Sequence, residues 1–315
     1  MPASENPDLS GAPDHARTVR TGVAYALAAY GLWGIFPVYF KWVSHVGADE
    51  ILAHRIVWSV VFCALLLTWT GRWANVAAIV RSKRAWAALS VSAVLVAINW
   101  LCFIYAVVTD RILEASLGYF INPLVSIVLG MVFLGERLRR PQWFAVSLAA
   151  IAVVYLTTQE GLPWIAITVA VTFGLYGLVR KQAKPGPLAG LFFETSLLAP
   201  IAIGYMLWLW LASDRGLVFA TGGWDDRGLL LLAGVITTLP LLYFAAAAKR
   251  LPLSVLGFFQ YIAPTAQFAA GLFYGEPFSI DRAIAFTLIW LGIAVFAGEA
   301  WRNSKRSNER PGPGR

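Results

Sequence analysis

Long, nearly continuous apolar stretches fill this chain, and its polar residues gather in short groups between them. About 20 apolar residues make a helix long enough to cross a bilayer. Ten such stretches occur, at 19–41, 50–70, 85–108, 113–134, 141–158, 162–180, 187–212, 228–248, 251–274 and 281–301. The short connections between them leave no room for a soluble domain. Arg17 and Arg20 precede the first stretch, and Ala26, Leu27 and Ala28 resemble a cleavage site, but the apolar run continues to Phe40. It reads as an uncleaved anchor. Residues 1–16 and 303–315, rich in Pro, Ser, Asn and charge, read as disordered cytoplasmic tails.

Three features recur in the same order along the chain: a Gly-Leu-aromatic-Gly run, an intramembrane Pro and a Gly-Glu turn. "YGLWGIFPVYF" from Tyr30 compares with "FGLYGLVRK" from Phe173. "SLGYFINPLVSIVLGMVFLGE", ending at Glu136, compares with "SVLGFFQYIAPTAQFAAGLFYGE", ending at Glu276. The register slips slightly between Pro123 and Pro264, so small insertions separate the copies. Gly-x-x-Gly and intramembrane Pro are also common packing devices; three features in one order favour a duplication. The expectation is an all-α integral membrane protein, its ten transmembrane helices arranged as two inverted five-helix repeats at 17–160 and 161–302. Inverted repeats of this kind mark transporters.

Only 13% of the residues are charged and 59% are hydrophobic. A soluble protein carries roughly twice that charge. The net charge of +8 raises nucleic acid as a partner, but its distribution argues against that. Lys and Arg collect on alternate connections: Arg72, Arg81, Lys83 and Arg84, then Arg137, Arg139 and Arg140, then Arg180, Lys181 and Lys184, then Lys249 and Arg250. The intervening connections hold only Lys41, Arg111, Arg215, Arg227 and Arg282. By the positive-inside rule both termini are cytoplasmic. Cys63 and Cys102 lie in apolar stretches and read as packing residues. No phosphate-binding loop, metal-ligand spacing or nucleophile–base set is visible, so the reading is of a carrier that is not an enzyme and has no cofactor or metal. Its partners are a small-molecule substrate, membrane lipid and, for coupling, protons. A channel or a membrane-embedded enzyme is the competing class, and monomer or homodimer stays open.

"ADEILAHRIVWS" (48–59), "INWLCFIYAV" (98–107), "LEASLGYFINPL" (113–124) and "GERLRRPQW" (135–143) resemble the RarD branch of the EamA-type drug/metabolite transporter superfamily. So do "YGLVRK" (176–181), "ITTLPLLYFAAAAKRLPLSVLGFFQYIAPT" (236–265) and "FTLIW" (286–290). The resemblance covers about residues 17–300. It implies ten helices in two inverted halves around a central cavity, and a permease of the bacterial inner membrane. The branch is named for an association with chloramphenicol sensitivity, which does not identify a substrate. Glu299 stands where the resemblance implies an acidic residue before the basic tail.

Ionisable groups inside a membrane are costly unless paired or hydrated, so they mark candidate sites. Arg55 and Glu194 are the deepest, in repeat-equivalent stretches, and their differing depths predict that they do not pair. Glu114 is the expected ion-pair partner of Arg55. His54 is a candidate proton relay. Trp33, Trp58, Asn99, Tyr105, Tyr119, Asn122, Gln260 and Tyr261 are candidate cavity residues, with helix bridging or interfacial anchoring as the alternative for each. Pro123 and Pro264 are expected to kink their helices and free a carbonyl. Gly34 and Gly177 are expected to let helices approach closely where one half rocks on the other.

Overall fold

The computed structural model describes residues 11–135, 140–183, 185–248, 250–251 and 259–308. In chain order the helices are α1 (Gly11–Gly34), α2 (Phe36–Trp42), α3 (Ala48–Trp69), α4 (Trp73–Arg81), α5 (Lys83–Val108), α6 (Ile112–Leu134) and α7 (Arg140–Glu160). There follow α8 (Trp164–Gln182), α9 (Pro187–Leu211), α10 (Val218–Thr221), α11 (Trp224–Ala248), α12 (Ile262–Phe273) and α13 (Ile280–Asn308). Seven spans among the described residues are long and apolar enough to cross a membrane: α1 continued through α2, then α3, α5, α6, α7, α9 and α11. α8 and α12 are shorter apolar helices. The expected tails differ at their inner edges, because α1 begins at Gly11 and α13 runs to Asn308. Once an apolar helix is nucleated, each further residue adds a hydrogen bond, so the helix extends into its polar flanks.

Proline placement explains two departures from the expected spans. Pro37 has no N–H, so the Trp33 carbonyl one turn earlier loses its helical donor. The helix breaks there: Ile35 (φ −88°, ψ 0°) separates α1 from α2, with Pro37 in the first turn of α2. The Gln267 amide of α12 donates to that orphaned carbonyl at 3.2 Å. Pro264 likewise lies in the first turn of α12, after a turn at Gln260 and Tyr261, and not inside a continuous helix as the apolar run predicts. A first-turn proline breaks no hydrogen bond. Pro123 is inside α6 as expected. Both expected Gly-Glu turns have a left-handed glycine, Gly135 at φ 67° and Gly275 at φ 79°. Glu136 lies outside the described residues.

The packing pairs run as follows. α1 lies on α11 and α12, α3 on α9 and α11, α5 on α8 and α9, α6 on α8 and α12, and α7 on α13. Glycines set the closest crossings. A Cβ at Gly234 of α11 would overlap the Trp58 backbone of α3, and one at Gly118 of α6 would sit 2.6 Å from the Ala166 carbonyl of α8. Gly34 faces α12 in the same way, 2.6 Å from the Ala266 Cβ. Gly177 does not: nothing lies within 4 Å of its Cβ position. The close face of α8 is one turn earlier at Gly174, which meets Val125 and Leu129 of α6 at 3.1 Å. The close approach is thus made by the second member of one glycine pair and the first of the other, which corrects the role expected of Gly177.

A side chain at Gly234 must push two backbones apart, at about 1–3 kcal/mol or more. Gly234→Val is expected to lower the unfolding temperature in detergent clearly, while Gly177→Ala leaves it unchanged. Equal melting temperatures for both variants would contradict this crossing geometry.

Candidate functional site

Arg55 of α3 is buried, with 4% of its surface exposed. Its Nε donates to Thr237 Oγ1 of α11 at 2.8 Å. The guanidinium lies over the Trp100 ring of α5 at 4.1 Å, and Phe36 and Phe40 of α2 stand 5.5 and 5.7 Å away. Nη1 has no hydrogen-bond partner among the described residues, nor does the buried hydroxyl of Ser59 one turn along α3. The expected pairing with Glu114 does not occur. Glu114 binds Arg111 at 2.5 Å and accepts from the Ile165 amide at 3.0 Å. The reason is that α5, carrying Trp100 and Phe103, packs on both α3 and α6, which share no such contact. A desolvated cation–π contact contributes about 2 kcal/mol, whereas burying an ion without a counter-charge costs several kcal/mol. The aromatic rings therefore offset only part of the cost of placing Arg55 here.

Glu194 of α9 is fully buried and does have partners. Arg180 of α8 approaches it to 3.6 Å, the Ser92 hydroxyl donates to Oε1, and Oε2 has no hydrogen-bond partner among the described residues. Arg180 reaches the carboxylate by crossing Gly190, where any Cβ would collide with the guanidinium. Gly190 and Glu194 are one turn apart and share a face. Arg180, Ser92 and Gly190 were not singled out by the sequence. The only sequence signal was the small residue four positions before an intramembrane acid. Arg55 and Glu194 do not pair.

Several other candidates are drawn together. His54 and Glu50 are both fully buried, 3.9 Å apart. The Trp58 indole N–H donates to His54 Nδ1 at 3.1 Å, which places the neutral ring's proton on Nε2, towards Glu50. Asn99 donates to the Val169 carbonyl at 3.1 Å and accepts from the Tyr119 hydroxyl at 3.1 Å. Asn122 donates to the Ala170 carbonyl at 3.0 Å. These amides bridge helices, and so does Gln267 on the Trp33 carbonyl. The Tyr261 hydroxyl is buried without a hydrogen-bond partner among the described residues, beside the half-buried Gln260. Tyr105 departs from its expected place: it is 39% exposed and faces Trp164 at 5.7 Å. That is an interfacial position.

The connections that join α2 to α3, α5 to α6, α7 to α8, α9 to α11 and α12 to α13 meet at one end of the bundle. Lys41 binds Asp110 there, His45 binds Asp226 at 2.8 Å, and Arg282 binds Glu160 at 2.8 Å. Arg215 reaches Asp49 at 3.1 Å, and the Tyr205 hydroxyl donates to the same carboxylate. Glu276 caps the start of α6, accepting from the Ile112 and Leu113 amides at 2.6 and 2.8 Å. Burial pushes the Glu276 carboxyl upward, against the pull of those two amides. A cavity of about 60 Å³ lies at this end between Arg111, Glu114, Glu160 and Arg282. It is far below the roughly 300 Å³ of the smallest organic-ligand pockets.

Comparison with known proteins places this architecture. Residues 20–158 match the EamA-like transporter family. An uncharacterized transporter of Vibrio cholerae is 46% identical over 301 residues, covering 93% of this chain and 99% of that protein. Protein RarD of Escherichia coli is 46% identical over 296 residues, with 93% and 99% covered. A chloramphenicol-sensitive protein RarD of Pseudomonas aeruginosa is 29% identical over 303 residues, with 92% and 97% covered. One solved crystal structure shares the fold at a TM-score of 0.58 and 17% identity, over 90% of this chain and 99% of that one. The chain is thus a multi-pass membrane protein of the EamA-type transporters. Within them it belongs to the RarD branch.

The Arg180–Glu194 contact yields a double-mutant test. Removing one partner of a buried ion pair leaves the other uncompensated, at about 3–5 kcal/mol. Arg180→Met is expected to lower the melting temperature strongly, and Glu194→Gln in the same chain to restore most of it. Additive losses would show that the two groups are not coupled.

Proposed function

We propose that this chain is a secondary active transporter of a small organic molecule, working outward by alternating access and coupled to protons. It resides in the bacterial inner membrane with both termini in the cytoplasm, and its ten helices form two inverted halves at 17–160 and 161–302. One observation carries this reading: the packing pairs come in repeat-related sets. α1 sits on α11 and α12 as α8 sits on α5 and α6, and α3 meets α11 as α9 meets α5. α3 with α9, α6 with α12, and α7 with α13 join equivalent helices across the halves. Arg55 and Glu194 fit the same symmetry. Each is seven residues past the first residue of its helix, and each bonds a hydroxyl on the other half, Thr237 or Ser92.

Rocking of two such halves exposes the middle of the bundle to one side at a time. Contacts between halves close one end here: Asp49 with Arg215, Glu160 with Arg282, Glu114 with the Ile165 amide, and Glu276 with the start of α6. The positive-inside rule makes that end periplasmic. Access from outside requires breaking this set, with Gly34 and the α1–α2 break as the flexing points. Glu194 is the proton carrier in this reading: it exchanges its bond to Arg180 for a proton. His54, beside Glu50, is a second relay.

Proteoliposomes loaded with a pH dye test the proposal, screened with metabolites and amphipathic, chloramphenicol-like compounds. A saturable, substrate-dependent pH change is expected in wild type, with Glu194→Gln lowering it at least about 10-fold, in keeping with the 10²–10⁴-fold effect of a positioned proton-transfer group. Substrate movement without a pH change would make the protein a uniporter. Non-saturable flux would make it a channel, and chemical conversion of the substrate an enzyme.

A further inference from the structure

We infer that the ligand of Arg55 is an organic monoanion: a carboxylate carried on an apolar body. This deepens the transporter reading and rests on it for why such a site exists. Arg55 is the exception among the buried and end-clasping cations. Glu194 has Arg180, and Lys41, Arg111, Arg215 and Arg282 each hold a carboxylate. No carboxylate lies within ion-pair distance of Arg55 among the described residues, and its buried Nη1 is unpartnered. A buried guanidinium stays ionised, so the missing counter-charge is supplied by whatever binds.

The surroundings narrow the chemistry of that ligand. One cation matches one negative charge. A phosphate monoester carries nearly two at neutral pH, leaving a surplus anion against Phe36, Phe40 and Trp100. A carboxylate is flat and meets the fork of a guanidinium edge to edge. Ser59, one turn from Arg55 on α3, has a buried, unpartnered hydroxyl to give to the second oxygen. Phe36, Phe40 and the face of Trp100 turn apolar surface to the guanidinium, which suits an apolar body.

The cage also has a way to open. Phe36 and Phe40 stand on α2, which is severed from α1 at Ile35 and tied to its neighbours by the Tyr39 hydroxyl on the Leu229 carbonyl of α11 at 2.8 Å and by the Lys41–Asp110 pair. For α2 to swing with its two rings, while Arg55 stays on Thr237 and Trp100, these two bonds must break.

The test is binding to the purified full chain in detergent, by calorimetry near neutral pH. Cyclohexanecarboxylate is compared with its uncharged isostere cyclohexanecarboxamide and with cyclohexylphosphonate. Charge-assisted hydrogen bonds predict that wild type prefers the carboxylate over the amide by about 10-fold or more. In Arg55→Gln that ratio falls to about one. Arg55→Lys, which keeps the charge without the flat fork, retains part of it. Equal wild-type affinity for acid and amide overturns the proposal, as does a preference that survives Arg55→Gln or tighter binding of the phosphonate. If Arg55→Gln does not fold, the wild-type ratio and Arg55→Lys still decide. Carboxylate binding without flux in proteoliposomes would count against transport and leave this site standing; flux without carboxylate preference would do the reverse.

Discussion

A polar group surrounded by hydrocarbon must find its partner within the protein, and that requirement organises the whole bundle. Each helix satisfies its own backbone, so the side chains and the few broken backbone positions have to be answered by neighbouring helices. Thr237 answers Arg55, Ser92 and Arg180 answer Glu194, Gln267 answers the carbonyl that Pro37 strands, and Asn99 and Asn122 reach carbonyls of α8. These bonds select the register at which the helices lie, which apolar contact alone does not specify between surfaces as greasy as the lipid.

Glycine supplies the second half of that specification. Where helices must come within bonding reach, the backbone is bare: Gly234 under Trp58, Gly118 against Ala166, and Gly190 beneath Arg180. The last case joins the two themes, since the space left at Gly190 is what allows a cation on α8 to reach an acid across α9. Close packing and electrostatics are here one arrangement.

The sequence disclosed the helices and the exceptional charges because both signals are local. A run of apolar residues has the same meaning wherever it stands, and Arg55 or Glu194 within one is conspicuous without any structure. What it hid was relational. Arg180 is near the end of its own helix and looks like one more inward-side cation, so nothing in its flanks reveals Glu194 as its partner. Glu114 and Arg55 seemed matched by depth, but α5 stands between them. The Pro37 break was readable in principle, since a proline within a helical run strands the carbonyl four residues earlier. The donor that takes that carbonyl, Gln267, lies 234 residues away. Glycine spacing suggested Gly177, and only the rotation of α8 shows that Gly174 faces α6.

The bond from Arg55 to Thr237 spans 182 residues, and chains are made from the N-terminus at about 5–20 residues per second. The guanidinium therefore enters the bilayer some 10–40 s before the hydroxyl that tethers it has been synthesised, at a standing cost of about 2.5–3.5 kcal/mol. Glu194 has the opposite history, because Ser92 and Arg180 are already in place when it emerges. The first half thus waits in an unfinished state until α11 arrives. The later segment acts as a template completing the earlier one, so neither half is a free-standing unit during biogenesis.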